Sequence, residues 1–255
     1  MHALWNTIFY QPIYNGLIFL INNVTLGDVG LAIIILTVLV KFVLFPLSKK
    51  SIKSQIVMKE LAPLLKKIKA DFPNKEEQAK KTFALYKEYN INPFSGLVLI
   101  LVQLPVILAL YYVFFKGLNI DATQLYSLIK VPTDLHTIFL GVDIHKPSLV
   151  LAILAGVTQF IQGYFASPMQ KKDPNVKKSD QSFQDQLADS MAINVKYILP
   201  IFIAFISYQL SAAVALYWVT SNIFTILQEM YVRRIMPKAP LASSDMKTLK
   251  AKMAD

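Results

Sequence analysis

Long uncharged apolar blocks constrain this chain more than any other feature. Asp28–Leu47 carries the run Val29–Val40 without a charge, and Phe94–Phe115, Ser148–Ala166 and Val195–Tyr231 follow. A membrane-spanning helix needs about 20 mostly apolar residues. The last block is 37 residues long. As one helix it would reach roughly 55 Å, further than a bilayer is thick, so it reads as two spans folded about Gln209–Ala213. Five spans are expected, at 28–47, 94–116, 148–166, 195–210 and 213–231, the fourth being short. Only 16% of the residues are charged, against about a quarter in soluble domains. The fold class expected is all-α and polytopic.

The positive charges orient these spans. Residues 48–92 hold eleven Lys and Arg, 167–196 hold five and 232–255 hold six. Residues 1–27 hold none, and 117–146 hold only Lys130 and Lys146. Five alternating spans put the three rich segments on one side, which the positive-inside rule makes the cytoplasm. The N-terminus is then outside and the C-terminus inside, with 117–146 an external loop, 167–194 a cytoplasmic loop and 232–255 a basic tail.

Two further segments have helical patterns. Within residues 1–27, Phe9, Ile13, Leu17 and Leu20 share one helical face and Gln11, Asn15 and Asn22 the other, with Ile18 intruding. This pattern fits an amphipathic helix at the outer interface rather than a cleaved signal. Residues 48–92 read as a cytoplasmic helical hairpin. Its first arm holds Ile52, Ile56, Lys59, Pro63 and Ile68, with a bend expected at Pro63. The second holds Ala79, Phe83 and Tyr86 beyond the breaker Asp71-Phe72-Pro73-Asn74. The basic face of the hairpin suits anionic headgroups.

Lys41 is the anomaly. It lies about 20 Å below the outer end of its span and about 10 Å above the inner end, and such a cation normally faces the bundle interior or water. Snorkelling to the headgroups is the competing explanation. Against it, Thr37, Lys41 and Ser48 fall on one helical face, and Trp218, Asn222, Thr225 and Glu229 form a second stripe. Gln103, Thr158, Gln159 and Gln162 add neutral polar groups. Together they suggest a hydrated interior rather than separate accidents, although helix-to-helix hydrogen bonding accounts for any single glutamine.

Several stretches resemble the YidC family of bacterial membrane-protein insertases. They are Leu36-Thr-Val-Leu-Val-Lys-Phe-Val-Leu-Phe-Pro-Leu47 within the first span, Leu61-Ala-Pro63 and Ala84-Leu-Tyr-Lys-Glu88 in the hairpin, and Asn92-Pro-Phe-Ser-Gly96. Gln103-Leu-Pro-Val-Ile-Leu-Ala-Leu-Tyr-Tyr112, Leu216-Tyr-Trp-Val-Thr-Ser-Asn222 and Ile226-Leu-Gln228 complete the set. The resemblance covers roughly residues 9–234. It implies five helices around a groove open to cytoplasm and lipid, a mobile cytoplasmic hairpin and an external interfacial helix. It also implies a groove cation at Lys41, an amide at Gln162 and an aromatic ring at Trp218, with Thr37, Gln103, Ser221 and Asn222 nearby. The partners it implies are nascent membrane-protein clients, the ribosome and the Sec translocon, with anionic lipids around the hairpin. Arg233, Arg234 and Lys238 are candidates for ribosome or lipid contact through phosphates.

The chain departs from that family at three points. Lys41 stands where arginine is usual, offering a point charge instead of a planar five-donor fork. Ser211-Ala-Ala213 replaces a Pro-x-Gly turn. The large periplasmic domain and the extra first span of Gram-negative members are missing, as is the lipoprotein cysteine of many Gram-positive ones. The chain has no cysteine at all and only three scattered histidines, so no metal or cofactor is expected and no DNA partner. No nucleophile–base set or phosphate-binding glycine loop suggests an enzyme. A solute or ion transporter using Lys41 as its intramembrane charge is the alternative, without the inverted repeats such proteins favour.

Overall fold

A computed structural model of the chain describes residues 5–92, 95–115, 120–166 and 193–236. Its first segment is a π-helical turn (Asn6–Tyr10) leading into α1 (Gln11–Asn23). Leu26 and Gly27 then turn the chain with positive φ. The Asp28 carboxylate accepts from the Leu31 amide at 2.8 Å and so caps α2 (Val29–Val43). Leu44 breaks the helix, and Pro46 fits the open first turn of α3 (Phe45–Asp71). Asn74 caps α4 (Lys75–Glu88) by accepting from the Glu76 amide at 2.9 Å. Next come α5 (Ser95–Phe115), the paired strands β1 (Ile138–Phe139) and β2 (Val142–Asp143), and α6 (Leu149–Ala166). A second π-turn (Asn194–Ile198) opens α7 (Leu199–Gln209), and α8 (Ala212–Ile235) follows.

The chain is inside out by the standards of a soluble domain. Ile201, Phe205, Leu149, Val150 and Leu101 are exposed, while Thr37, Gln159, Ser221, Asn222, Gln228 and Glu229 are buried. In hydrocarbon, burying an apolar side chain gives no transfer gain, so helices must associate by close packing and hydrogen bonds. The α6–α7 pair does this with glycine. A methyl group added at Gly156 would lie 2.8 Å from Ala204 Cβ, and one at Gly163 would lie 2.9 Å from the Val195 carbonyl. Helix α8 is the hub, packing against α2, α3, α5, α6 and α7.

No single described helix is long and apolar enough to cross a membrane. The bent pair Val29–Val43 and Phe45–Met58, which meet at 64°, passes that test together. The helix expected over 28–47 therefore stops at Val43, and Ser48 belongs to the next helix rather than to the stripe of Thr37 and Lys41. In the second arm the buried side chain is Leu85, not Phe83, which is 60% exposed. Leu85 joins Leu61, Leu64 and Ile68 of α3 in a small cluster separate from the main core. Helix α3 continues through Pro63 to Asp71.

A cap closes one end of the bundle. The Asn15 side chain donates to the Gln124 carbonyl at 2.9 Å and accepts from the Tyr126 amide at 2.7 Å. Asn22 donates to the Lys130 carbonyl. The polar face expected of the N-terminal helix thus grips residues 120–130, and the intruding Ile18 is fully buried. The His136 amide donates to the Gly27 carbonyl and the Val29 amide to the His136 carbonyl. A side chain at Gly27 would meet His136 and the Asp134 carbonyl within 3 Å. The Ser211-Ala-Ala213 turn is capped by backbone rather than by its own serine. The Ala212 amide donates to the Lys146 carbonyl and the Ala213 amide to the Ile144 carbonyl, both at 2.9 Å.

Candidate functional site

Lys41 sits in the last turn of α2 and reaches α8, where its Nζ donates to Thr225 Oγ1 at 3.1 Å. Thr225 in turn donates to the Ser221 carbonyl at 2.8 Å. That hydroxyl is the ammonium's one hydrogen-bond partner among the described residues. The carboxylate of the same stripe, Glu229, is held by Arg233 one turn further along α8. Among the described residues the cation is therefore anchored by a neutral group, and no carboxylate forms an ion pair with it.

About two turns from Thr225 towards the start of α8, Gln103 of α5 donates its amide to the buried Tyr217 hydroxyl. At 100° per residue, Tyr217, Ser221, Thr225 and Gln228 line one flank of α8 within about 80° of arc. Lys41 and Gln103 therefore reach the same flank of α8, about 12 Å apart along it, with Ser221 between their partners. A second cluster lies towards α6. There Asn222 donates to Thr158 Oγ1 at 3.2 Å, while Gln159 donates to Gln162 at 3.0 Å. Gln162 and Asn222 make no bond to Lys41, so the expected single set divides in two across α8. Trp218 packs half-buried against the main core.

Some expected roles change. The Thr37 hydroxyl is buried and donates to the Ile33 carbonyl at 2.7 Å, and Ser48 does the same to Leu44 at 3.0 Å. Both satisfy their own helices. Arg233 lies against Glu229 and donates to the Phe165 carbonyl at 2.9 Å. It thereby ties the C-terminal ends of α6 and α8 together, while its side chain stays partly exposed. Arg234 is exposed, and Lys238 lies outside the described residues, as do the loop 167–192 and the tail from 237. Among the described residues, no three His, Asp or Glu side chains come together to hold a metal ion.

Sequence reasoning missed Tyr217. A hydroxyl-bearing ring four residues before Ser221 in an apolar span was the available signal, since i and i+4 share a helix face. The pairing of Lys41 with Thr225 had no such signal, because 184 residues separate them.

The family model of the 60Kd inner membrane protein matches residues 20–239. The membrane protein insertase YidC of Clostridium tetani (strain Massachusetts / E88) is 34% identical over 210 residues, covering 82% of this chain and 83% of the relative. The protein of the same name from Fusobacterium nucleatum subsp. nucleatum is 30% identical over 228 residues, covering 88% of this chain and 97% of that one. A crystal structure of active YidC insertase, with its first transmembrane domain resolved, superposes with a TM-score of 0.55 at 23% identity. The match covers 87% of this chain and spans 46% of that larger one. The inverted polarity, the half-buried cation and these likenesses agree, and the chain belongs to the 60Kd inner membrane protein family, that of the YidC insertases.

Proposed function

We propose that this chain inserts newly made membrane proteins into the bilayer and helps them fold, independently of the Sec translocon or beside it. The observation that carries this reading is Lys41. A cation with a neutral hydroxyl as its partner, in a bundle whose outer faces are apolar, remains available to a transient acidic or polar guest. Water and the polar groups of α2, α5 and α8, entering from the cytoplasmic side, shorten the hydrocarbon that a client's hydrophilic tail must cross. The client's apolar segment then partitions sideways into lipid, and its burial supplies the driving force. No bond is made or broken, and no cofactor is invoked.

Five spans around a cytoplasm-open groove, with the N-terminus outside and the C-terminus inside a bacterial inner membrane, are part of this reading. It is supported by the charge asymmetry and by the hydrogen-bonded external cap. The hairpin of α3 and α4 receives clients, and its lysines meet anionic headgroups. The basic tail with Arg234 and Lys238 faces the ribosome. A transporter is the weaker alternative, because the relatives are insertases and the cation lacks the paired midplane ions of transporters.

Reconstituted liposomes test the central claim. Lys41→Ala is expected to reduce insertion of a Sec-independent client with an acidic tail several-fold, and Lys41→Arg to retain it. Equal insertion by wild type and Lys41→Ala would sink the role of the charge.

A further inference from the structure

Helix α5 has a weak turn. Pro105 lies inside it and has no N–H, so the Leu101 carbonyl loses its helical donor. Sharp bends in helices gather at such residues. The two sides of this turn are packed differently. Beyond it, Val106, Ala109 and Val113 are buried in the main core. Before it, Val98 and Leu101 are exposed, and none of the residues 95–102 whose burial is described is buried. Helix α3 also packs on α5, and it begins at the 64° break with α2, so that support is itself hinged. The first half of α5 is thus held less firmly than the half that runs on to the cap.

Gln103 stands inside that weak turn, and its amide donates to Tyr217 of α8. The Tyr217 side chain is buried, and its hydroxyl also accepts from Ser221, one turn further along α8. A single hydrogen bond between membrane helices contributes little, because another polar group can take its place. Such a bond holds a loose element without fixing it permanently. The two helices run in opposite directions. Helix α5 ends at Phe115, just before the cap, and α8 starts against the carbonyls of Ile144 and Lys146 within it. Eight residues after Tyr217 comes Thr225, the partner of Lys41, and eight before Gln103 comes Ser95. The loosely held half of α5 therefore runs beside the stretch of α8 from Tyr217 to Thr225.

We propose that the Gln103–Tyr217 hydrogen bond is a latch that clamps the Pro105 turn. Its release lets the first half of α5 move away from α8 and widens the space on the flank that Lys41 reaches. Gln103 is then a positioning residue rather than a client contact. The use of the latch rests on the insertase reading, since that space is where a client's polar tail enters. A bend of about 20° at Gln103 carries Val98, five residues away, by roughly 3 Å.

The chain has no cysteine, so pairs of spin labels on the full chain in liposomes test the latch by double electron–electron resonance, with no client present. The pair Val98→Cys and Ile223→Cys reads the first half of α5, and Leu108→Cys with Ile223→Cys reads the second. All three positions are exposed. Gln103→Leu removes the donor and Tyr217→Phe removes the hydroxyl. Each is expected to lengthen or broaden the first distance by about 3 Å and to leave the second unchanged. Adding Pro105→Ala should restore the first distance, because a continuous helical ladder carries both halves together. An unchanged first distance in either folded variant overturns the latch. Equal changes in both pairs, or a change that persists with Pro105→Ala, overturn the bend at the proline and the latch with it. These outcomes leave the insertase reading standing. Equal insertion by wild type and Lys41→Ala, by contrast, removes the use of the latch and leaves its mechanics intact.

Discussion

Lys41 and Thr225 form a pair whose members depend on each other unequally. Removing the threonine hydroxyl leaves a half-buried ammonium without this acceptor, and the desolvation of such a group costs at most about 1–3 kcal/mol. Removing the ammonium leaves a hydroxyl still bonded to the Ser221 carbonyl. Thr225→Val is therefore expected to lower unfolding stability in detergent by about 1–3 kcal/mol, and by much less in a Lys41→Leu background. A double-mutant cycle measures the coupling, and additive effects would remove the pairing from the account. The lysine itself was legible in the sequence, because a charge inside an uncharged apolar run demands an explanation. Its partner was not, because threonine is common in membrane helices and its place beside Lys41 exists only once α2 and α8 have packed. Ser48 shows the opposite failure. Helical spacing put it on the Lys41 stripe, and the break at Leu44 took it off.

At the level of elements, glycine marks where backbones must approach. A methyl group at Gly30 would lie 2.3 Å from Phe139 Cγ, so Gly30→Ala forces the β1–β2 turn off the start of α2. Overpacking of this kind costs about 1–3 kcal/mol. Thermal unfolding should show that loss, and adding Phe139→Ala should recover most of it; no recovery would mean that the strain lies elsewhere. The helices themselves were readable from apolar length, and the caps Asp28 and Asn74 from residue type. The end of α2 was not, because Pro46 is permitted in a helix's first turn and gives no warning that a new helix begins there. Of the residues at helical spacing in α4, Tyr86 packs against the α3 cluster and Phe83 stays exposed, while Leu85, which the pattern did not single out, is the side chain most buried there.

Across the whole molecule, the cap formed with α1 answers to one carboxylate more than its exposure suggests. The amide of His145 and the Lys146 ammonium hold the Asp143 carboxyl below its ordinary range. A lowered folded-state value contributes stability that is fully present above the unfolded pKa of about 3.9 and is lost as pH falls through the folded one. Asp143 directly precedes Ile144 and holds His145 and Lys146, and the carbonyls of Ile144 and Lys146 accept from the first amides of α8. Hydrogen exchange at Ala212 and Ala213, corrected for its intrinsic pH dependence, should stay flat from pH 7 to 5 and accelerate below about pH 4. Asp143→Asn should flatten that response; identical profiles would detach the cap from Asp143. Little of this cap was legible beforehand, since its bonds join side chains of α1 to a loop more than a hundred residues away. The break at Leu44 has a mechanical consequence at the same scale. Helix α3 is one rod of 27 residues, roughly 40 Å long, and the Gln228 amide reaches the Phe45 carbonyl at its near end. Leu44 is thus a pinned fulcrum. A swing of about 10° there carries the far tip of the rod by roughly 7 Å, while Lys41, three residues behind the pivot, stays almost still.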